Sequence, residues 1–127
     1  MNEPTWLQRA VVLALHDRML AEFGGASGLR DTGPFESALA RPRQAFSYGV
    51  NDIPTLAASY AVGIIQEHPF LDGNKRTGFL CAVVFMEING WRFSASEPDV
   101  VIHTLALAAS ELNEDAYAAW LKANSHS

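Results

Sequence analysis

The sequence predicts an all-α fold, a bundle of about six helices. Three observations carry that expectation. Apolar residues recur at helical spacing in several stretches, residues able to cap a helix stand just before them, and Gly or Pro follows them. The 127-residue chain suits a single domain, 1–127, with one buried core. At 49% hydrophobic and 18% charged residues the composition excludes a disordered chain.

Pro4 and Thr5 are expected to start the first helix, whose apolar face carries Val12, Leu15, Met19, Leu20 and Phe23. "GGASG", Gly24 to Gly28, stops it. Asp31 to Gly33 is a capping turn, and Pro34 to Ala40 a short helix with Pro at its start. Arg41-Pro42 ends that helix, because a residue before proline disfavours the helical region. Arg41 to Asp52, "RPRQAFSYGVND", is expected to be a surface loop or short hairpin. Asp52 caps a helix from Ile53 to Glu67, with Leu56, Tyr60, Ile64 and Ile65 on its apolar positions. Pro69 closes it. The next helix runs from Asn74 to Asn89, with Gly90 as its stop. Phe79, Leu80, Val83, Val84, Phe85 and Met86 leave it almost no polar face, so it is expected to be the central, buried helix. Ser96 caps a helix with Pro98 and Asp99 in its first turn. Asn113 starts the last one, which buries Tyr117, Trp120 and Leu121.

Several function classes are excluded or disfavoured. A net charge of −5 and a pI of about 5.2 argue against direct nucleic-acid binding. The one cysteine, Cys81, allows no disulfide framework and lies in an apolar helix, where it is a core residue rather than a nucleophile. No HExxH pattern or paired Cys/His set exists for zinc. "GNKRT" is not a Walker A sequence. No signal peptide or membrane-spanning run is visible, so a cytoplasmic protein with no membrane partner is expected. His16, His103 and His126 receive no role; the last sits in an expected frayed tail.

The chemistry concentrates in "HPFLDGNKRTG", His68 to Gly78. A helix start is the positive end of the macrodipole and favours acids. Asp52, Glu97, Asp99, Glu114 and Asp115 obey that rule at other expected starts, whereas Lys75 and Arg76 break it. Two cations there suit a bound anion, and free N–H groups beside Gly73 complete a phosphate site. Asn74 can cap the helix or donate to a phosphate oxygen. Arg76 offers a planar fork and Lys75 a point charge. Asp72 beside phosphates calls for an intervening cation, ordinarily Mg²⁺. His68 is placed to accept a proton from an incoming hydroxyl. Phe70 is expected to point into the core and fix the loop. The set suits phosphoryl or nucleotidyl transfer to a hydroxyl. Taken singly, His68 would suit a helix C-terminus, "DG" a turn, and Lys75 and Arg76 a solvated surface.

"HPFLDGNKR" closely resembles the signature of the Fic/Doc family, His-x-Phe-x-Asp/Glu-Gly/Ala-Asn-Gly/Lys-Arg. Lys75 at the eighth place resembles the Doc branch, the death-on-curing toxins of toxin–antitoxin pairs. "ALHDRMLAEFGGASGLRD", "LARPRQAFSYG" and "FMEINGW" are similar to segments of Doc-type proteins, so the resemblance runs from about residue 14 to 91. It implies ATP and Mg²⁺ as cofactors, His68 as general base, Asp72 as the metal-holding acid, and Gly73, Asn74, Lys75 and Arg76 as the phosphate-binding loop. Phe70 matches the structural aromatic. The segment Arg41 to Asp52 corresponds in order to a flap that aligns target segments, which makes Arg41 and Arg43 candidates for target or phosphate contact or, equally, plain surface charges.

Two departures from the adenylylating Fic pattern matter. That branch has Gly in place of Lys75, and a second Arg where this chain has Phe79. The resemblance therefore implies transfer of the γ-phosphoryl group to a protein hydroxyl, with a threonine of elongation factor Tu as the family's target and translation as the process arrested. It also implies an antitoxin whose C-terminal segment folds on the toxin. An adenylyltransferase on the same fold and a non-catalytic antitoxin-binding protein are the alternatives. His68 and Asp72 together argue against the last, which would need neither.

Overall fold

The computed structural model describes residues 2–127. In chain order the elements are α1 (Arg9–Phe23), α2 (Thr32–Ser47), α3 (Ile53–Glu67), α4 (Asn74–Ile88), β1 (Arg92–Phe93), α5 (Glu97–Ala108), α6 (Glu114–Ala123) and β2 (Ser125–His126). The all-α architecture and the last four helix starts are as expected. Asp52, Ser96 and Asn113 accept hydrogen bonds from Thr55, Asp99 and Ala116 N–H, so each cap stands where the sequence places it.

Four expectations are corrected. The first helix begins at Arg9, not at Pro4. Trp6 and Leu7 are buried in the non-helical segment before it instead, with Trp6 stacked on Phe85 at 5.8 Å. Asn89 holds that segment by exchanging two hydrogen bonds with Thr5 (2.8 and 3.0 Å).

The second correction concerns α2, which runs through Pro42 to Ser47, so Arg41–Ser47 is helix rather than loop. Pro42 forfeits one helical hydrogen bond and crowds the carbonyl of Ala38, at a cost of about 3 kcal/mol. Packing on α3 offsets it. Phe35, Ala38 and Pro42 form one buried stripe, and burying Phe35 alone contributes about 2–3 kcal/mol. The helices approach so closely that a Cβ at Gly63 would lie 3.2 Å from the Cα of Ala38. Arg41 ties the continued helix to α6, donating to both Glu114 carboxylate oxygens (2.9 and 2.7 Å) and to Ser59 Oγ (3.0 Å). The Glu114 hydrogen bonds raise the Arg41 pKa further, against partial burial. Replacing Arg41 by methionine is expected to destabilise the fold by about 1 kcal/mol. Thermal unfolding checks this: a fall in Tm of a few degrees is expected, and an unchanged Tm would make the pair idle.

Third, the most completely buried helix is α3, before the motif loop. It packs on α4, α2 and α6, and every residue from Ile53 to Ile65 except Thr55 is buried. Helix α4 buries one face only, through Thr77, Gly78, Cys81, Ala82, Phe85 and Met86. Phe79, Leu80 and Val84 on its other side line an open groove. Fourth, His126 belongs to β2, paired antiparallel with Arg92 of β1, rather than to a frayed end.

Cys81 is fully buried, and burial pushes its thiol up to about 12. Alkylation of the native protein at pH 8 is expected to be slow and to become fast only on unfolding. Rapid labelling of folded protein would contradict this placement. Among the described residues no helix is long and apolar enough to cross a membrane.

Candidate active site

The motif loop, residues 68–73, joins the two helices that pack most closely, α3 and α4. His68 ends α3 in a left-handed conformation (φ 51°, ψ 55°), and Gly73 opens α4 in another (φ 80°, ψ 17°). Between them Phe70 turns into the core. Its ring stacks on His16 at 3.7 Å and meets Phe35 edge-on at 5.8 Å. A short strap from the segment after α1 pairs with the loop. Arg30 N–H donates to the Pro69 carbonyl at 2.7 Å, and Leu71 N–H to the Gly28 carbonyl at 3.1 Å.

Helix α4 starts without a side-chain cap and without an acid in its first turn. Helix α1 shares both features and begins on a cation, Arg9, but Arg9 pairs with Glu36. Lys75 and Arg76 have no carboxylate partner among the described residues. Both are exposed. The Arg76 guanidinium lies over the ring of Phe23, 3.7 Å from its centroid, a cation–π contact that holds it above the α4 start. Two free cations at an uncapped positive pole are an arrangement that an anion completes.

Asn74 has a different employment from the one expected. It is buried, neither caps α4 nor faces solvent, and closes the loop on itself. Its Oδ1 accepts from Phe70 N–H and its Nδ2 donates to the Phe70 carbonyl, both at 3.0 Å. Those two bonds fix the amide's orientation, which turns Nδ2 toward His68 Nδ1 at 3.4 Å. A donor facing Nδ1 favours the ring hydrogen on Nε2. In that tautomer Nδ1 is the accepting nitrogen, and taking up a proton there breaks only this long contact.

Asp72 is exposed. Its Oδ1 accepts from Gly73 N–H at 2.8 Å, and its Oδ2 receives a longer bond, 3.4 Å, from Ala26 N–H. The "GGASG" stretch thus does more than end α1: it seats this carboxylate, and a Cβ on Gly25 would lie 2.8 Å from Oδ2. Among the described residues no group of three His, Cys, Asp or Glu side chains converges as a metal cage. One exposed carboxylate with lone pairs to spare fits Mg²⁺, which takes one or two protein ligands and fills its shell with phosphates and water.

The loop's support is where sequence reasoning fell short. His16, assigned no role, is buried under the loop with its Nε2 at 2.8 Å from the Asp72 carbonyl. Its position on the buried stripe with Val12 and Met19 was the available signal, since a polar residue on such a stripe needs a partner. Arg41 is bound to Glu114 and Ser59, so it is not a free guanidinium for a target. Arg43 lies 5.4 Å over the ring of Trp6, away from the motif's own contacts. Phe79 packs edge-on to Phe93 at 5.6 Å within a cluster that includes Trp120. A second arginine at that position would bring a charge into aromatic packing.

The site therefore joins, on a small helical domain, an exposed histidine, an exposed carboxylate and an uncapped helix start with two cations. The sequence profile of the Fic/DOC family matches residues 6–86, and the chain belongs to that family. Its relatives are of the Doc type. It is 30% identical over 112 residues to "Protein kinase doc" of Escherichia phage P1, covering 87% of this chain and 88% of the relative. It is 42% identical over 76 residues to "Toxin Doc" of Mycolicibacterium smegmatis, covering 58% of each.

Proposed function

We propose that this protein is the toxin of a toxin–antitoxin pair and that it transfers the γ-phosphoryl group of ATP to a hydroxyl of a protein target. The observation that carries the reading is the pairing of exposed His68 and Asp72 with the unpaired cations Lys75 and Arg76 on one short loop. The names of the two relatives, a protein kinase and a toxin, support it.

Each residue has a definite task. Lys75, Arg76 and the free N–H groups of the first α4 turn bind phosphate oxygens and offset the charge that builds on them. Gly73 lets those oxygens reach the backbone. His68 takes the proton of the attacking hydroxyl as its oxygen bonds to the γ-phosphorus; the bond to the β-phosphate oxygen breaks and ADP leaves. Asp72 would hold Mg²⁺, which supplies charge neutralisation on the phosphates when bound. Asn74, His16 and the strap keep the loop in shape. A serine or threonine hydroxyl suits the acceptor role, and the family resemblance points to elongation factor Tu, with arrest of translation as the result.

The test is labelled ATP with Mg²⁺ and purified elongation factor Tu or a cell extract. Label arriving on protein from the γ-phosphate alone supports the kinase. Label from the α-phosphate would establish adenylyl transfer instead. No transfer, with wild-type chain and His68→Ala equally harmless to growth, would leave a binding protein.

The antitoxin has a natural seat. A groove of about 770 Å³ runs between α1, α4 and α5, beginning at Lys75 and Arg76 and walled by Phe23, Phe79, Leu80, Val101 and Leu105. Phe23, Val101 and Leu105 are 49%, 40% and 51% exposed, so apolar surface waits for a cover. An amphipathic helix fits such a groove. Leu105→Glu is expected to weaken binding of the co-encoded antitoxin by about tenfold or more while leaving label transfer intact. Unchanged affinity would move the antitoxin elsewhere.

A further inference from the structure

We infer that Arg30 is the positioning residue of the candidate base: its guanidinium fixes the left-handed turn that sets the direction of the His68 imidazole. The inference rests on the reading of His68 as the group that accepts the hydroxyl proton.

The turn needs an explanation of its own. His68 and Ser110 are the two non-glycine residues with positive φ among those described. Helices that end in this conformation usually place Gly or Asn there. The next residue, Pro69, biases His68 toward extended backbone instead. Left alone, the end of α3 would also present its last carbonyls without partners. Something must hold this backbone against both tendencies.

Arg30 does so with three bonds to three successive carbonyls. Its Nε donates to the His68 carbonyl and its Nη2 to the Glu67 carbonyl, each at 2.8 Å. Its backbone N–H donates to the Pro69 carbonyl at 2.7 Å. A planar guanidinium is rigid, so two successive carbonyls bound in one fork have their relative orientation fixed, and with it φ and ψ of His68, the residue between the two peptide planes. The positive charge also complements the C-terminal end of the α3 dipole. Arg30 comes from a strap 38 residues away in sequence that is itself bridged to the loop at Leu29 and Phe70. The side chain is exposed and contributes nothing to the core. Its contacts go to the backbone of the base and its two neighbours, not to residues 72–76.

The test compares Arg30→Met, which keeps the stem and removes the donors, with Arg30→Lys, which keeps the charge and loses the fork. The carbon chemical shifts of His68 Cα and Cβ report its backbone conformation. Both variants are expected to stay folded, with shifts in α5 and α6 unmoved. In Arg30→Met the left-handed signature of His68 is expected to vanish or average, and kcat for γ-label transfer to fall about tenfold or more with KM for ATP within about twofold. Arg30→Lys is expected to recover only part of both. Unchanged His68 shifts in Arg30→Met would overturn the inference, as would full recovery by lysine or a change confined to KM. Loss of the fold in Arg30→Met beside normal shifts in Arg30→Lys would make the residue merely structural, which also overturns it. A wild-type chain that transfers no label would defeat the functional reading, while the His68 shifts would still decide the role of Arg30.

Discussion

His68→Asn is expected to cut γ-label transfer to protein by roughly 10²–10⁴-fold, the ordinary loss when a general base is removed, and to leave thermal stability unchanged. Asparagine is the informative substitution because the position is left-handed (φ 51°, ψ 55°). Asparagine tolerates that conformation, whereas alanine adds backbone strain of its own. The imidazole is exposed, and its contact among described side chains is the 3.4 Å approach to Asn74, so little packing is lost. A fall in rate at constant Tm would therefore report chemistry rather than folding. ATP binding should survive, since Lys75, Arg76 and the first turn of α4 are untouched. If the variant keeps a rate within a few fold of wild type, His68 is not the base. If ATP affinity collapses along with the rate, His68 belongs to the binding loop instead.

Gly73→Ala is expected to be the most disruptive single change in the loop, for two separable reasons. The residue sits at φ 80°, where a side chain costs about 1–2 kcal/mol. A Cβ there would also lie 1.9 Å from Met19 Cε, so Met19 must move. Met19 is 2% exposed on the buried face of α1 beside His16, and although its Cε is the free end of a flexible side chain that also borders the groove, it has to give way. Forcing it aside costs roughly 1–3 kcal/mol by analogy with overpacked cores. The sum, about 3 kcal/mol, lowers Tm by roughly 10 °C for a domain of this size. Because His16 holds the Asp72 carbonyl at 2.8 Å, displacement of Met19 should also disturb Asp72 beside the proposed anion site. A double-mutant cycle separates the two reasons. Met19→Ala alone destabilises by about 2–4 kcal/mol through a cavity, but combined with Gly73→Ala it opens the space the new methyl needs. The pair is expected to cost at least about 1 kcal/mol less than the sum. Strict additivity would leave backbone strain as the whole effect.

Both predictions concern a loop whose chemical residues stand out in the sequence and whose support does not. His68, Asp72, Gly73, Lys75 and Arg76 stand out because their chemistry contradicts their local setting, and local contradictions are visible in a sequence. Asn74 shows the limit of that logic. As the first residue of a helix it reads as a cap or a ligand, yet its amide turns back to Phe70, four residues earlier, and the direction of an amide depends on what the loop encloses. Arg41 shows it again. Before a proline it reads as the end of a helix and a free charge, but Glu114, 73 residues later, binds it, and the packing of Phe35, Ala38 and Pro42 carries the helix past the break.

By itself, then, the sequence determined the all-α class, the caps at Asp52, Ser96 and Asn113, the span of α3 and α4, and the short run of residues to which the proposed anion, acid and base roles fall. Each depends on neighbours within a few positions, where periodicity, capping and helix polarity act. Only the tertiary structure decided that α3 is the hub, that Trp6 and Leu7 enter the core from outside any helix, that His16 and Asn74 hold the motif loop, and that Arg30 reaches three carbonyls at the end of α3. Those outcomes turn on hydrogen bonds and close packing between segments tens of residues apart. No spacing along the chain encodes which distant carbonyl an arginine will find; the path of the backbone through the core does.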